Sequence, residues 1–354
     1  MEAYIRGIGN ISPQPTFDNG TFLEEIREYS HPRLQSVLPD FKSFIQPAQL
    51  RRMSKLLRMG VTAAGISLRD AGIEKPDAII TSTGLGMMEE TEKFLNGLLD
   101  NQERLLNPTA FIQSTHNTVG ASIAVMLSCN NYNVTYVHGP VSFEHAMLDS
   151  LMWLEEKPSD NVLMGGVEEI TEDHYRITES MGFWKAGEVN SLKILGDKRP
   201  GTLAGEGASF FVLSKEADPN NYAFLRGLAL RFNPGKQNIL SDFIQSFIQS
   251  YSLAVSDIDL VITGFNGDPE SDNIYVEAKD AFDAIPVAYY KHLCGEHYLA
   301  PSFGLWLAAK IAKTQSVPEV VLKDGGRKPG EIRNILIHNH YKNVHHSLML
   351  LSSC

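Results

Sequence analysis

The sequence predicts an α/β protein whose core is built twice from alternating strands and helices. The buried-strand pattern at residues 77–83 runs directly into the glycine turn at 84–86 and then a helix, an order typical of α/β units. The two halves resemble each other, since YIRG at 4–7 opens the first and FLRG at 224–227 opens the second. The strand at 77–83 also has a counterpart, DLVIT at 259–263, so the pattern favours a duplicated core.

The elements of each half follow from hydrophobic spacing and from turn residues. In the long helix predicted at 46–72, apolar residues recur at helical spacing and Gly72 supplies the stop. The first half adds helices at 21–29, 118–127 and 143–155, one from Met87, and strands at 3–12, 133–137, 161–165 and 208–213. The second half holds helices at 240–252 and 302–314 and strands at 224–232, 259–263, 334–338 and 347–352.

Composition and charge exclude several classes of function. The chain has 354 residues, 43% hydrophobic and 21% charged, which suffices for two domains or one large duplicated domain. Its net charge of −11 provides no overall field for nucleic acid, so we expect no nucleic-acid partner. No apolar run reaches the ~18 residues that span a bilayer, and the N-terminus lacks a signal pattern. We therefore expect no membrane span.

Cysteine usage fits a reducing compartment. Cys129, Cys294 and Cys354 are scattered, odd in number and without C-x-x-C spacing. This argues against a disulfide scaffold or a structural zinc site, and we expect a cytoplasmic protein. The glycine turn at 83–88 lacks the third glycine of a dinucleotide fingerprint, so we expect no cofactor and no metal.

Several segments, in the right order, resemble the β-ketoacyl synthases of the thiolase fold. They are RRMSK at 51–55 with DAGI at 70–73, TGLG at 83–86, LMGGVE at 163–168 and DKRPGTLAGEGASFFVL at 197–213. The resemblance implies a thiolase-like fold, with a duplicated α-β-α-β-α layered core and mixed five-stranded sheets. It divides the chain into a β-ketoacyl-synthase-like half at 1–215 and a thiolase-like half at 216–354. The segment STHNTVG at 114–120 resembles subunits of aryl-polyene and flexirubin-type pathways.

The resemblance also implies three catalytic positions, and this chain departs from the pattern at each. Such synthases use a cysteine at a helix N-terminus to take the acyl chain and two histidines to bind the malonyl thioester. The equivalent positions hold Pro140, Asn266 and Glu296. Proline has no nucleophile, and asparagine can donate a hydrogen bond but cannot carry a proton. Lys291 of the family motif is retained, and an ion pair with Glu296 would explain both residues.

Other residues offer weaker alternatives for a rebuilt site. Ser142 and His145 lie one turn apart and could form a nucleophile pair, although a cap and a packed histidine explain them as well. Cys294 and His297 lie near Lys291, where Cys294 also fits a small buried hydrophobe.

Two further positions are implied to line or gate an acyl tunnel, namely His116 and Tyr341. The family's glycine-rich gating loop corresponds to 340–345, where the glycines are absent and a tight φ > 0 turn is harder to form. Four nearby histidines would fall on different strand faces, and no cysteine or carboxylate is near them to complete a set of metal ligands. This argues against a metal site. The four histidines are His338, His340, His345 and His346.

Departures at four loops favour a degenerate synthase without catalytic activity of its own. The resemblance implies a chain-length-factor-like partner of a catalytic ketosynthase in type II polyketide or fatty-acid-like (aryl polyene) biosynthesis. The strand at 133–137 would pair across the dimer axis. An acyl carrier protein with a phosphopantetheine-bound acyl chain is the implied second partner. Four cations on one predicted helix could steer it, or could simply form a solvated face: Arg51, Arg52, Lys55 and Arg58.

Two other functions remain open on the sequence. One is an active acyl-thioester condensing or decarboxylating acyltransferase with a rebuilt site. The other is a non-catalytic acyl-ligand-binding homodimer that kept the fold and lost the chemistry.

Overall fold

Ten strands form one mixed sheet in the computed structural model, which describes residues 1–104, 106, 108–233, 237–278, 282, 285–322 and 329–354. The strands are β1 (Ala3–Ile11), β2 (Ala78–Ser82), β3 (Tyr132–Tyr136), β4 (Asn161–Glu168), β5 (Gly207–Ser214), β6 (Ala223–Phe232), β7 (Leu260–Thr263), β8 (Val287–Tyr289), β9 (Asn334–Tyr341) and β10 (His345–Ser352). Their order across the sheet is β3-β2-β4-β5-β1-β6-β10-β9-β7-β8.

The two halves of this sheet have the same topology, which confirms the predicted duplication. From the centre outward the orders are β1-β5-β4-β2-β3 and β6-β10-β9-β7-β8, with the outer three strands of each half parallel. In each half, the aspartate just before the second strand accepts a hydrogen bond from a backbone N–H of the neighbouring strand. Asn161 N–H donates to Asp77 Oδ2 at 2.8 Å, and Asn334 N–H donates to Asp259 Oδ2 at 2.8 Å.

The predicted five-stranded sheets require one correction, because they are joined. Three residues of β1 pair with three residues of β6 in antiparallel register, and Tyr4 lies opposite Phe224. Their rings are 4.7 Å apart, so the two opening motifs noted in the sequence meet at this seam. β1 and β6 are thus the innermost strands of their halves.

Helices form three layers around the two half-sheets, as predicted. The helices are α1 (Pro47–Leu50), α2 (Lys55–Ala71), α3 (Met88–Asp100), α4 (Pro108–Gln113), α5 (Thr118–Met126), α6 (Ser142–Glu156), α7 (Glu172–Ser180), α8 (Gln237–Gln249), α9 (Pro269–Ala278), α10 (Lys291–Cys294) and α11 (Ala300–Thr314). Apolar residues of α6 and α11 fill the core between the half-sheets. Helices α2 and α5 cover the outer face of the first half, and α8 covers that of the second.

Two predicted helices differ from the structure for identifiable reasons. The long helix at 46–72 is interrupted at residues 51–54, because Ser54 begins a new helix by accepting a hydrogen bond from Leu57 N–H. The segment 21–29 is not helical. There the side chain of Gln14 bonds both the N–H and the carbonyl of Arg27, at 2.8 and 3.1 Å. Leu23 has φ +52°, which a right-handed helix does not allow.

Within the described ranges, no helix combines the length and apolar character needed to cross a bilayer.

Candidate functional site

A cavity of about 520 Å³ lies where carboxyl ends of parallel strands from both halves meet. Its walls include Glu168 at the end of β4, Asn266 in the loop after β7, and Tyr341 at the end of β9. The size is that of a small-ligand pocket. The cavity therefore lies where strand ends of the two halves converge.

A buried polar network closes the floor of this cavity. Lys291 Nζ lies 2.8 Å from Glu296 Oε2, and Asn266 Nδ2 donates to the same oxygen at 2.8 Å. The side chains of Lys291 and Glu296 are 1% and 11% exposed. The two positions where the family resemblance implies histidines are thus in direct contact, and both are also linked to the retained lysine.

The loop after β7 holds Asn266 rigidly. Asp272 accepts the N–H groups of Asn266 and Gly267 at 2.8 and 2.9 Å, and the hydroxyl of Thr202 donates to the Asn266 carbonyl at 2.6 Å. Gly267 has φ +83°, a conformation that glycine adopts without strain. The Asn-Gly-Asp-Pro composition, which reads as an ordinary turn, therefore presents the Asn266 amide to Glu296.

Glu296 is positioned by the glycine-rich motif before β5. Its N–H donates to the Leu203 carbonyl at 2.7 Å, and its carbonyl accepts from Gly205 N–H at 3.0 Å. A Cβ at Gly205 would lie 2.0 Å from the Cys294 carbonyl oxygen. Only glycine allows this close backbone approach, so the family-like segment at 197–213 directly supports the site.

Pro140 does not line the cavity. It lies in a short 3-10 turn, Gly139–Val141, that precedes α6. The structure does not bring Ser142 and His145 together as a nucleophile and its base. The Ser142 hydroxyl donates to the Gly139 carbonyl at 2.8 Å and accepts from His138 N–H at 2.7 Å, whereas His145 Nδ1 faces His138 Nδ1 at 3.0 Å.

Cys294 is buried, whereas His297 is only partly buried. Cys294 packs in the core between the half-sheets, outside the cavity lining, and burial raises the pKa of its thiol far above the ordinary value. His297 does line the cavity. Burial, followed by the charge of Lys291, lowers the pKa of His297 to about 3. Its imidazole is therefore neutral near pH 7 and cannot donate a second proton.

The β9–β10 turn closes one side of the cavity. Lys342 and Asn343 have φ +50° and +53°, so the left-handed turn forms without glycine, contrary to the sequence-based expectation. Tyr341 lines the cavity and lies 5.3 Å from the Tyr298 ring. Lys342 Nζ stands 3.7 Å above the ring of Phe183.

His116 lies outside this cavity. It is exposed and packs against Gly86, where a Cβ would come within 2.5 Å of the His116 ring. His338 and His346 face each other at 3.3 Å, and His340 stacks on His346 at a ring distance of 5.3 Å. In the part of the chain that the structure describes, no three His, Cys, Asp or Glu residues are arranged to hold a metal ion.

Buried carboxyl groups are the feature of this region that sequence reasoning missed. Glu168 accepts Gly84 and Leu85 N–H groups at 2.7 and 3.1 Å, and burial raises its pKa to about 8. Burial likewise raises the pKa of Glu169 to about 7. In the first turn of α6, Glu144 is fully buried with one oxygen unpaired, and burial raises its pKa to about 7. Glu144 lies one turn after Pro140, but a glutamate at such a position is ordinarily solvated and gives no sequence signal of burial.

Comparisons with known proteins agree with this architecture. Residues 29–186 match the family model described as "Beta-ketoacyl synthase, N-terminal domain". No curated protein matches the sequence.

Three solved structures superpose over the whole chain. "The ishigamide ketosynthase/chain length factor" matches with a TM-score of 0.81 and 17% identity, covering 100% of this chain and 99% of that one. The complex "AntDE:AntF (apo): type II PKS acyl-carrier protein in complex with its ketosynthase bound to the hexaketide" matches at 0.80 and 14%, with the same coverage. A β-ketoacyl synthase from Burkholderia phymatum STM815 matches at 0.80 and 13%, again with coverages of 100% and 99%. The chain therefore has the mixed α/β, thiolase-like fold of the ketosynthases.

Proposed function

We propose that this chain is a ketosynthase-like subunit without catalytic activity of its own, which acts as a chain-length-factor-like partner of a catalytic ketosynthase. The observation that carries the proposal is the network of Asn266, Glu296 and Lys291. An ionised carboxylate only accepts hydrogen bonds, and Glu296 accepts those of the buried lysine and of the Asn266 amide. These groups are therefore not free to polarise a thioester carbonyl.

The positions of the cysteines support the same conclusion. Cys129 is buried beneath the outer helices, Cys294 is buried between the half-sheets, and Cys354 is at the exposed C-terminus. None of the three lines the cavity. Because the thiolate is the reactive form, the raised pKa of Cys294 further disfavours it as an acyl acceptor.

The edge of the sheet supports a dimer. Strand β3 is the last strand of its half, and none of the described residues pairs with its outer edge. An open edge with apolar neighbours is a pairing surface. Val137 directly follows the strand and Val125 lies on α5, which packs against β3, and both side chains are exposed. We propose that β3 pairs with the equivalent strand of the catalytic ketosynthase, and that a second copy of this chain is the alternative occupant.

The second proposed partner is an acyl carrier protein with a phosphopantetheine-bound acyl chain. Structural neighbours named as a ketosynthase/chain length factor and as a carrier protein complex support both partners. Arg51 and Arg52 are exposed and could face an acidic carrier, but they lie in the interruption before α2. Lys55 is neutralised by Glu206. The proposed pathway is a cytoplasmic type II polyketide or fatty-acid-like one that makes an aryl polyene.

Covalent loading tests the proposal. The purified chain, as the Cys354→Ser variant to remove its exposed thiol, is incubated with acyl-loaded carrier protein, alone and with a catalytic type II ketosynthase. Intact mass spectrometry then reports which polypeptide carries the acyl group. We expect acylation of the ketosynthase only, a stable complex of the two chains, and a changed product length when this chain is omitted.

A ketosynthase variant with its nucleophilic cysteine changed to alanine serves as the control and should abolish all acylation. An acyl group on this chain would contradict the proposal and favour the rebuilt-site acyltransferase. Failure to form a complex, with a stable dimer of this chain instead, would favour the non-catalytic homodimer.

A further inference from the structure

The β9–β10 turn is held by a chain of hydrogen bonds that runs through three histidines. His338 Nε2 lies 3.3 Å from His346 Nδ1, and His346 Nε2 lies 3.1 Å from the side-chain oxygen of Asn343. The Asn343 N–H donates to His340 Nδ1 at 3.2 Å, and His340 Nε2 lies 3.0 Å from the Ser271 carbonyl. This chain, named here the histidine relay, connects the turn to β9, β10 and α9.

The partners in the relay determine which ring nitrogens carry protons. The Asn343 N–H only donates and the Ser271 carbonyl only accepts, so His340 is neutral with its proton on Nε2. The Asn343 side-chain oxygen also only accepts, so His346 carries its proton on Nε2 and accepts at Nδ1 from His338. A second proton, on Nδ1 of His340 or His346, would face an N–H donor and break the relay.

The relay stabilises a turn whose backbone is strained. Lys342 and Asn343 have φ +50° and +53°, a conformation that costs free energy for residues other than glycine. The relay binds Asn343 through both its N–H and its side chain, so loss of the relay favours an open turn. Because His340, Tyr341, Lys342 and Asn343 line the cavity, an open turn removes one of the cavity walls.

Burial and nearby positive charge keep the relay histidines neutral in the closed turn. Burial, followed by the charge of Lys291, lowers the pKa of His340 well below the ordinary value. Burial also lowers the pKa of His346 to about 4 and that of His338 to about 3. The closed turn therefore holds all three imidazoles uncharged near pH 7.

The groups around the relay do not compensate a charge on it. Two carboxylates act on the neighbouring Tyr275, namely Asp272 and Glu296, and both are already bound, the first to backbone N–H groups and the second to Lys291. The titratable and charged groups that face the relay are His345 of β10, Arg231 of β6, Lys291 of α10, and Tyr275 and Asp272 of α9.

We propose that the β9–β10 turn is an acid-sensitive wall of the cavity, closed while His340 and His346 are both neutral and opened when they take up protons. In the open turn both imidazoles reach water, where the pKa of histidine is about 6.5. Because the closed form has lower pKa values, its stability is fully present above about pH 6.5 and is lost as the pH falls. This holds whether or not the chain partners a ketosynthase, since it concerns only access to the cavity.

Hydrogen exchange of the full chain tests the proposal. Deuterium uptake of peptides covering residues 338–348 is measured by mass spectrometry at pH 7.5 and 5.0 and corrected for the intrinsic exchange rates. When the turn closes faster than it exchanges, the corrected rate reports the ratio of open to closed turn. Each released histidine raises this ratio about 30-fold between the two pH values, so two raise it about a thousandfold. Peptides of α11 report unfolding of the whole protein and should change far less.

Two variants identify the histidines that respond. His340→Gln and His346→Gln keep a polar side chain that does not titrate, so each should reduce the rise to about 30-fold, and the double variant should abolish it. His116→Gln changes an exposed histidine outside the relay and should keep the full rise.

Three results would overturn the inference. They are a rise of less than about threefold in the turn peptides, equal rises in the turn and α11 peptides, and a full rise in either glutamine variant of the relay. None of them depends on complex formation with a ketosynthase, which tests the proposed function.

Discussion

Removing the carboxylate of Glu296 is expected to destabilise the whole protein. In Glu296→Ala, Lys291 keeps its charge with its side chain 1% exposed, but it loses its two carboxylate contacts of 3.0 and 2.8 Å. Breaking a buried ion pair from one side costs about 3–5 kcal/mol, because the remaining charge is buried without compensation. We therefore expect the free energy of unfolding to fall by about that amount.

The double variant Lys291→Met/Glu296→Gln distinguishes the ion pair from simple loss of packing. Methionine fills the space of the lysine stem, and glutamine still accepts the hydrogen bond from Asn266. Replacing a buried ion pair by uncharged groups of similar volume is often neutral, so we expect the double variant to lie within about 1 kcal/mol of the parent.

Urea denaturation at pH 7, followed by circular dichroism, measures these differences. Glu331→Gln removes one partner of an exposed pair with Arg333 and should leave the unfolding midpoint unchanged. If Glu296→Ala destabilises by less than about 1 kcal/mol, Lys291 is not held by this pair, and the reasoning about the network is refuted.

Three further changes test other parts of the structure. Burial raises the pKa of Glu144 to about 7, so the folded protein holds a proton that the unfolded chain releases. The free energy of unfolding should therefore fall as the pH rises from about 4.5 to about 8. In urea unfolding at several pH values, Glu144→Gln should remove on the order of 3 kcal/mol of that loss. Gly205→Ala should lower the free energy of unfolding in urea by about 3 kcal/mol or more, because its Cβ would meet the Cys294 backbone. Gly196→Ala is the control, since a Cβ there has no neighbouring atom within contact distance. Equal losses of stability in the two variants would contradict the close-approach argument. Ser142→Ala should cost about 1 kcal/mol and leave acyl loading of the complex unchanged in the mass assay.

The fold was predictable because its signals are local and repeated. The matching openings of the halves and the aspartates before β2 and β7 each recur at equivalent positions. The break before α2 was missed because apolar spacing continues across residues 51–54, and only the capping bond of Ser54 ends the pattern. The segment 21–29 was missed because side-chain bonds from Gln14, which lies outside the segment and 13 residues before Arg27, override its helical spacing.

The candidate site was predictable only in part. The motif spacing pointed to Asn266, Glu296 and Lys291, and their mutual contacts follow from three loops that converge. Glu144 and Glu169 could not be identified, because a glutamate on a predicted helix or after a strand is ordinarily solvated. Their burial depends on how the two half-sheets enclose them, which is a property of the assembled fold and not of local sequence.

The helices between the two half-sheets, α6 and α11, have a consequence for folding during synthesis. Helix α11 belongs to the second half, yet it packs against β1 and β5 of the first as well as β9 of the second. During synthesis the ribosome must add the residues from 216 to 314 before this helix is complete, which takes about 5–20 s at typical elongation rates. For that time the parts of β1 and β5 that α11 covers in the folded protein lack this helix. We therefore expect gene fragments divided at residue 215 to regain full structure only when they are expressed together.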